Sequence, residues 1–317
     1  MKNNRSGEYD VSGRVITTDP GAVNAEVDRI FLDLYPKAST SKIDLAFRDA
    51  ASLYSGKFPG YHACDTAYHD IQHVLEVTLA AARLIDGYQR ARVGVEPLDA
   101  PMFRLGIITA LFHDCGYVRS LDDKEHRNGG ELTLTHVSHS ARFLREYLPG
   151  IGMGEMADIA AALVHFTGYE IPVAQIKVPS LSYKLLGSLL GSADIIAQMS
   201  DRCYLEKCRD RLYPEFLAGG LARRRLPDGK EEVVYESGAD LVRKTPRFYD
   251  GATRRLDADL GGTHKYVQEH FGGQDLYLEE VRKNIRFART ISDNEGAKAL
   301  RRNPPKTIPA RAKDDPE

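Results

Sequence analysis

The chain has 317 residues, of which 42% are hydrophobic and 28% charged, and a formal net charge of −2 at pH 7. This balance is ordinary for a globular protein and excludes a general electrostatic attraction for nucleic acids or anionic membranes. No segment approaches the roughly 20 apolar residues that span a bilayer, and the first residues lack an apolar signal core, so we expect a cytoplasmic protein. Four cysteines without Cys-x-x-Cys spacing predict reduced thiols.

Helical periodicity dominates the first two-thirds of the chain. Residues 1–20 are polar and predict a flexible N-terminus, after which apolar residues recur at helical spacing. The predicted helices lie at 23–35, 43–54, 70–85, 102–112, 132–147, 156–166 and 181–199. Segment 102–112 is apolar almost all round, which predicts a central helix enclosed by the others and ending at His113-Asp114-Cys115-Gly116.

The last third of the chain is less regular. Val233-Val234-Tyr235, preceded by Pro227-Asp228-Gly229, predicts one small hairpin, and helices are predicted again at 264–271 and 276–291. Prolines among charges predict a disordered tail at 294–317. We therefore expect an all-α helical bundle over 21–220, with a C-terminal helical extension at 221–293 that packs on the same domain.

Histidines and aspartates inside the apolar helices form the strongest chemical signal. They are Tyr68-His69-Asp70-Ile71-Gln72-His73, His113-Asp114, His136, His165 and Asp194. Burying an unpaired ionisable group is costly, and a divalent cation that coordinates such groups offsets that cost. Imidazole and carboxylate ligands suit Mn, Zn, Fe and, through the oxygens, Mg, so the pattern predicts a metal site without selecting the metal.

Two of these motifs have a geometry that suits metal binding. His69 and His73 lie one turn apart on the same side of a helix. The adjacent His113 and Asp114, at a buried helix end, can offer an imidazole to one ion and a carboxylate shared between two. Two metal ions roughly 3.5–4 Å apart hold a water or hydroxide between them, which supplies a nucleophile for hydrolysis of a phosphate ester.

The ordered set resembles a known family. His73, His113-Asp114 and Asp194 on successive helices resemble the H…HD…D signature of the HD-domain metal-dependent phosphohydrolases, over about residues 60–215. His136 and His165 are similar to the two additional histidines of the binuclear members. The segment 68–74 is similar to the Tyr-His-Asn-x-x-His segment of class I cyclic-nucleotide phosphodiesterases.

The resemblance implies an HD-type, phosphodiesterase-like bundle and a role for each of these residues. His73, His113, Asp114 and Asp194 are expected to hold a first divalent metal ion, and Asp114 bridges to a second ion held by His136 and His165. His69 is expected to act as the acid that protonates the leaving oxygen. The implied activity is hydrolysis of a nucleotide-type phosphate ester, cyclic nucleotides included, with Tyr68 and Gln198 as candidate substrate contacts.

The chain also departs from these relatives. Cys115-Gly116-Tyr117 follows His113-Asp114, so the lysine of cyclic-di-GMP-cleaving relatives and the histidine and proline of cyclic-nucleotide phosphodiesterases are lacking. Asp70 replaces the asparagine of the latter family. The substrate is therefore less determined than the metal site.

Several alternatives stay open at this point. His139 competes with His136 as a ligand, and His69 could orient a ligand or a phosphate instead of donating a proton. Lys124, Arg127, Lys184 and Arg202 are weak candidates for phosphate contacts, and the basic run Arg223-Arg224-Arg225 is more typical of a solvated surface. Residues 221–317 are expected to support the bundle, to shape the mouth of the site or to form the surface of a homodimer, in that order of preference.

Two other functions compete with phosphate hydrolysis. The same superfamily resemblance extends to oxygenases, in which a similar histidine and aspartate set holds two irons that activate dioxygen. A module that binds a nucleotide without cleaving it is the second rival. Iron content with oxygen consumption separates the first rival from a hydrolase, and nucleotide binding without turnover identifies the second.

Overall fold

The computed structural model describes residues 6–91, 97–225, 229–291 and 299–307. Within them the chain is mostly helical with one two-stranded antiparallel hairpin, which confirms the all-α prediction. The helices are α1 (Pro20–Leu34), α2 (Ser41–Tyr54), α3 (Ile71–Ala91), α4 (Ala100–Leu111), α5 (His136–Gly150), α6 (Ala157–Leu163), α7 (Leu181–Ser200), α8 (Tyr204–Lys207), α9 (Tyr213–Ala218), α10 (Gly238–Arg254), α11 (Val267–His270) and α12 (Leu276–Ala288). The strands are β1 (Arg223–Arg225) and β2 (Glu231–Val233).

Local sequence signals place the starts of three of these helices. The Asp19 carboxylate accepts a hydrogen bond from the Gly21 N–H at the start of α1, and Asp99 accepts one from the Met102 N–H at the start of α4. Both helices have a proline in the first turn, where no intrahelical donor is lost. Ser180 caps α7 in the same manner.

Helix α3 lies at the centre of the bundle. It packs against α1, α4, α7 and α11, and almost every residue from Gln72 to Tyr88 is buried. Helix α4 is also buried along most of its length, as its apolar sequence predicted. The metal-site candidates therefore lie on or beside elements that form the interior of the molecule.

Most of the predicted helices are present, with shifted ends. Predicted helix 132–147 is instead a 3₁₀ turn at Gly129–Leu132 followed by α5, which begins at His136. Helix α10 was not predicted from the sequence. It buries few large apolar side chains, chiefly Leu241 and Val242, and Pro246, a residue that normally ends a helix, lies inside it.

Residues 1–5 of the N-terminal segment that was predicted to be flexible lie outside the described residues, and the rest of the segment differs from that prediction. Residues 6–19 pack on the bundle, where Tyr9 and Ile16 form an antiparallel bridge. The Asp10 carboxylate pairs with the buried guanidinium of Arg83 at 2.5 Å, and Arg83 also donates to the Tyr277 hydroxyl at 3.0 Å. The segment is ordered because this buried ion pair anchors it. A polar sequence predicts flexibility, and the sequence pattern does not show that Asp10 has a buried partner.

The C-terminal extension packs on the bundle, with α11 against α3 and α12 against α7. Of the predicted disordered tail 294–317, residues 299–307 are packed, and the Arg211 guanidinium donates to the Pro304 carbonyl there. Residues 294–298 and 308–317 lie outside the described residues. The predicted hairpin is present, its turn residues 226–228 lie outside the described residues, and Arg223 and Arg224 pair across it with Glu231 and Glu232.

Two further predictions concern the cysteines and membrane-spanning segments. All four cysteines are unpaired and buried. In the described parts of the chain, we find no helix with both the length and the apolar character needed to cross a membrane.

The close packing of α3 on the C-terminal extension predicts a sharp effect at Gly87. A Cβ atom at Gly87 lies 1.8 Å from the Tyr266 carbonyl oxygen, so Gly87→Ala forces these two backbones apart. We expect Gly87→Ala to lower the free energy of unfolding by about 1–3 kcal/mol, measured by urea denaturation. Gly150→Ala is the matched control, because nothing lies within 4 Å of its Cβ position. Equal stabilities of the two variants would contradict the prediction.

The Asp10–Arg83 pair predicts a pH-dependent contribution to stability. Burial opposes the Asp10 charge, but Arg83 and the Val15 N–H outweigh it and lower the pKa of Asp10 from 3.8 to about 2. The pair therefore stabilises the fold above pH 3.8, and its contribution is lost as the pH falls through about 2. We expect Asp10→Asn to cost about 2 kcal/mol at pH 7, with a smaller difference from the wild type at pH 3, in urea titrations at both pH values. A difference that does not change with pH would argue against this ionisation.

Candidate metal centre

Three helices bring the first group of ligand candidates together. His73 lies in the first turn of α3, His113 and Asp114 follow the carboxyl end of α4, and Asp194 lies in the second half of α7. His73 Nε2 lies 3.1 Å from Asp114 Oδ2 and 3.5 Å from Asp194 Oδ1. His113 Nε2 lies 3.1 Å from Asp114 Oδ2 and 3.9 Å from Asp194 Oδ1. His73, His113 and Asp114 form a group that could hold a metal ion.

The Asp114 carboxylate faces imidazoles on both of its oxygens. Oδ2 is the atom that His73 and His113 approach, whereas Oδ1 lies 3.4 Å from Nε2 of His136. His136 is the first residue of α5. A carboxylate between two sets of nitrogen donors can bridge two ions, one on each oxygen.

Backbone hydrogen bonds prepare two of the imidazoles for metal binding. His113 Nδ1 lies 2.8 Å from the Ala110 carbonyl oxygen, and His136 Nδ1 lies 2.7 Å from the Thr133 carbonyl oxygen. A carbonyl oxygen can only accept, so each Nδ1 carries the proton and each neutral ring keeps a lone pair on Nε2. The buried Nε2 of His113 makes no hydrogen bond within the described residues. This donor set fits a divalent cation.

The charges of the centre are strongly coupled. Burial opposes the charged form of His113, but the Asp114 and Asp194 carboxylates outweigh it and raise the pKa of His113 to about 9. Burial also opposes the charge of Asp114, yet the surrounding histidines hold the pKa of Asp114 well below its usual range. Burial lowers the pKa of His136. A bound cation can therefore take the place of the proton on His113 that offsets the negative charge of Asp114.

A close backbone contact fixes His136 relative to Asp114. The 3₁₀ turn at Cys115–Tyr117 follows Asp114 and lies against the start of α5. A Cβ atom at Gly116 lies 1.9 Å from the His136 carbonyl oxygen, so only glycine allows this approach. The Gly116 N–H donates to the Ser140 hydroxyl at 2.8 Å, which holds the turn on the helix.

His69 lies beside the centre in a pairing that the sequence analysis missed. Its Nδ1 lies 2.5 Å from Oε2 of Glu215, and the other oxygen of this buried carboxylate accepts the Tyr68 N–H at 2.6 Å. Burial opposes the charged form of His69, but Glu215 outweighs it and raises the pKa of His69. The rings of His69 and His136 both stack on Tyr117, at 4.2 and 4.3 Å between centroids. Glu215 lies on the short helix α9, and no local pattern in the sequence points to it.

One side of the centre is more accessible than the other. The side chains of His113 and Asp114 are 1% and 5% exposed, whereas those of His69, His136 and Asp194 are 14%, 18% and 13% exposed. A small molecule therefore meets the centre from the side where His69 and His136 lie. The buried Tyr68 lies next to His69, with 5.0 Å between the ring centroids, and its hydroxyl donates to Gln198 Oε1 at 3.3 Å.

The remaining candidates lie farther from the centre. No contact among the described residues joins His165 or His139 to Asp114, and it is His136 that faces this carboxylate. His165 lies on a 3₁₀ turn (Val164–Phe166), and its buried Nδ1 makes no hydrogen bond within the described residues, so its role as a ligand stays a prediction. Lys124 donates to the Leu121 carbonyl, Arg127 and Lys184 are exposed or half-buried, and Arg202 follows α7.

Comparisons of the chain with protein-family models, with curated proteins and with solved structures find no match. The chemistry of the centre therefore has to follow from its own donor set: three imidazoles around one carboxylate, a second carboxylate from α7, and a histidine–glutamate pair at the accessible side.

The geometry predicts that Asp114 carries the metal affinity. Asp114→Asn keeps the size of the side chain but removes the charge that three imidazoles face, so we expect Mn²⁺ affinity to fall at least 100-fold in isothermal titration calorimetry. Asp123→Asn is the matched control, because Asp123 pairs with His126 in a loop that contributes no ligand candidate. Unchanged Mn²⁺ binding by Asp114→Asn, with a wild-type melting temperature, would rule out Asp114 as the central ligand.

Proposed function

We propose that this protein is a metal-dependent phosphohydrolase, and specifically a phosphodiesterase that hydrolyses a nucleotide-type phosphate ester. One observation carries the proposal: the Asp114 carboxylate meets His73 and His113 on one oxygen and His136 on the other. A bridging carboxylate of this kind suits two divalent ions, which is the arrangement that supports in-line displacement at phosphorus.

The residues divide into two sets of ligands in this proposal. His73, His113, Asp114 and Asp194 would hold the first ion. Asp114 and His136 would contribute to the second ion, together with His165, for which no hydrogen bond or ion pair to Asp114 is found among the described residues. When bound, the metal ions supply a hydroxide nucleophile at neutral pH and charge stabilisation for the phosphoryl oxygens.

His69 supplies the proton in this mechanism. Glu215 accepts a hydrogen bond from Nδ1 of His69, so Nε2 of the charged ring carries the second proton. As the bond from phosphorus to the leaving oxygen breaks, the proton on Nε2 passes to that oxygen and leaves a neutral alcohol. Tyr117 stacks on the His69 imidazole, and together with Glu215 it fixes the orientation of that ring.

Tyr68 and Gln198 support the assignment to a nucleotide-type substrate. They contact each other next to Asp194, which precedes Gln198 by one turn of α7. The buried Tyr68 holds Oε1 of Gln198 through its hydroxyl, which leaves the amide nitrogen of Gln198 as a donor for the edge of a nucleobase.

The proposed acid predicts a dependence on the leaving group. We expect His69→Ala to lower kcat by about 10²–10⁴-fold on a diester with a poor, alkoxide leaving group and much less on bis(p-nitrophenyl) phosphate, because a good leaving group needs no proton. Glu215→Gln should follow the same pattern with a loss of about 10-fold, and Mn²⁺ binding should be retained in both variants. Glu232→Gln, in the exposed hairpin, is the control.

The assay is Mn²⁺-dependent product release across cyclic nucleotides, linear dinucleotides and the chromogenic diester, with Asp114→Ala alongside. Equal losses of kcat on good and poor leaving groups in His69→Ala would contradict the acid role. Absence of turnover across the panel, combined with bound iron and oxygen consumption, would replace the hydrolase with a di-iron oxygenase. Tight nucleotide binding without turnover would identify a non-catalytic binding module.

A further inference from the structure

A second cavity lies on another face of the helix that carries Asp194. It has a volume of about 240 Å³ and lies between α7, the end of α10 with the following turn, and α12. Its walls are largely apolar, and they include Ile195, Met199, Ala252, Leu256, Leu278 and Val281. We call it the α7–α12 cavity.

The α7–α12 cavity is separate from the metal centre. Ile195 and Met199 line it, whereas Asp194 and Gln198, one position earlier in each case, belong to the other site. Neighbouring positions on a helix point about 100° apart, so the two sites use different faces of α7. None of the metal-ligand candidates lines the cavity.

Polar groups on the wall and at the rim indicate what the cavity binds. The imidazole of His264 lines it, is only 5% exposed, and its Nδ1 makes no hydrogen bond within the described residues. Lys265 lines the cavity but is paired with Asp257 at 3.0 Å. Arg282 also lines it, is exposed, and has no ion pair within the described part of the chain. The charged groups that line it therefore sum to one positive charge.

The volume indicates the size of the occupant. An apolar cavity of about 150 Å³ accommodates benzene, which has six non-hydrogen atoms. In proportion, the α7–α12 cavity holds about ten non-hydrogen atoms. Apolar walls favour a hydrocarbon body, and Arg282 favours a carboxylate, which a guanidinium binds through two parallel hydrogen bonds.

We propose that the α7–α12 cavity is a binding site for a medium-chain carboxylate, an amphipathic monoanion whose hydrocarbon body lies between α7 and α12 and whose carboxylate pairs with Arg282. His264 provides a buried hydrogen-bonding group on the wall of the cavity. The site needs neither the metal ions nor turnover, so it stands independently of the proposed phosphodiesterase activity.

The test is isothermal titration calorimetry of octanoate into the full chain, with 1-octanol as the neutral probe of the same length. We expect one saturable site with a Kd of roughly 0.1–1 mM for octanoate. Arg282→Glu should weaken octanoate binding by at least about 30-fold and leave 1-octanol binding within a factor of three. Arg286→Glu, one turn further along the exposed side of α12 and outside the cavity, should bind octanoate like the wild type.

A second variant tests the hydrocarbon part of the site. Ala252→Phe places a ring in the cavity, and we expect it to remove the binding of both probes while the melting temperature stays within a few degrees of the wild type. If Ala252→Phe unfolds, Arg282→Glu still tests the proposal, because Arg282 is exposed and its substitution leaves the core unchanged. No saturable binding of octanoate at 10 mM, or equal affinities in the wild type and in Arg282→Glu, would overturn the proposal.

Discussion

The molecule depends on one constraint: the ionisable side chains of its central helix have to be neutralised away from water. Helix α3 is buried on almost all sides, yet it carries His73, Arg83 and Asp86. Each of them has a partner on another element, and Asp86 also pairs with Arg90 within α3. Asp114 and Asp194 face His73, Asp10 pairs with Arg83, and His270 pairs with Asp86 at 2.6 Å. Because a buried charge without its partner costs several kcal/mol, these pairs specify which segments pack around α3.

The same constraint explains why the metal centre lies where it does. A carboxylate surrounded by imidazoles is a poor way to stabilise a core, since hydrophobic residues of similar volume pack as well without the cost of desolvation. Asp114 is nevertheless buried between His113 and His136, and the Nδ1–H group of each of these histidines donates a hydrogen bond to a backbone carbonyl. A bound cation would offset the cost of this arrangement, and it would thereby link metal affinity to the stability of this part of the fold.

Helix α7 relates the two proposed binding sites. It carries Asp194 and Gln198 on the face toward the metal centre, and Ile195 and Met199 on the face toward the α7–α12 cavity. The C-terminal extension forms the outer wall of that cavity through α10 and α12. The extension therefore completes the burial of α7 and also creates a second concave surface, which a bundle ending near residue 220 could not form.

The sequence by itself determined the helical class, most of the helices before residue 200 and the set of histidines and aspartates that meet at Asp114, because periodicity and residue type are local properties. Only the tertiary structure decided that Glu215 pairs with His69, 146 residues away, and that His136 rather than His139 faces Asp114. It also decided that the polar N-terminal segment is anchored, through Asp10, on the central helix. These outcomes depend on contacts between distant segments, for which a single sequence carries no periodic signal, since each contact exists only once the intervening helices have packed.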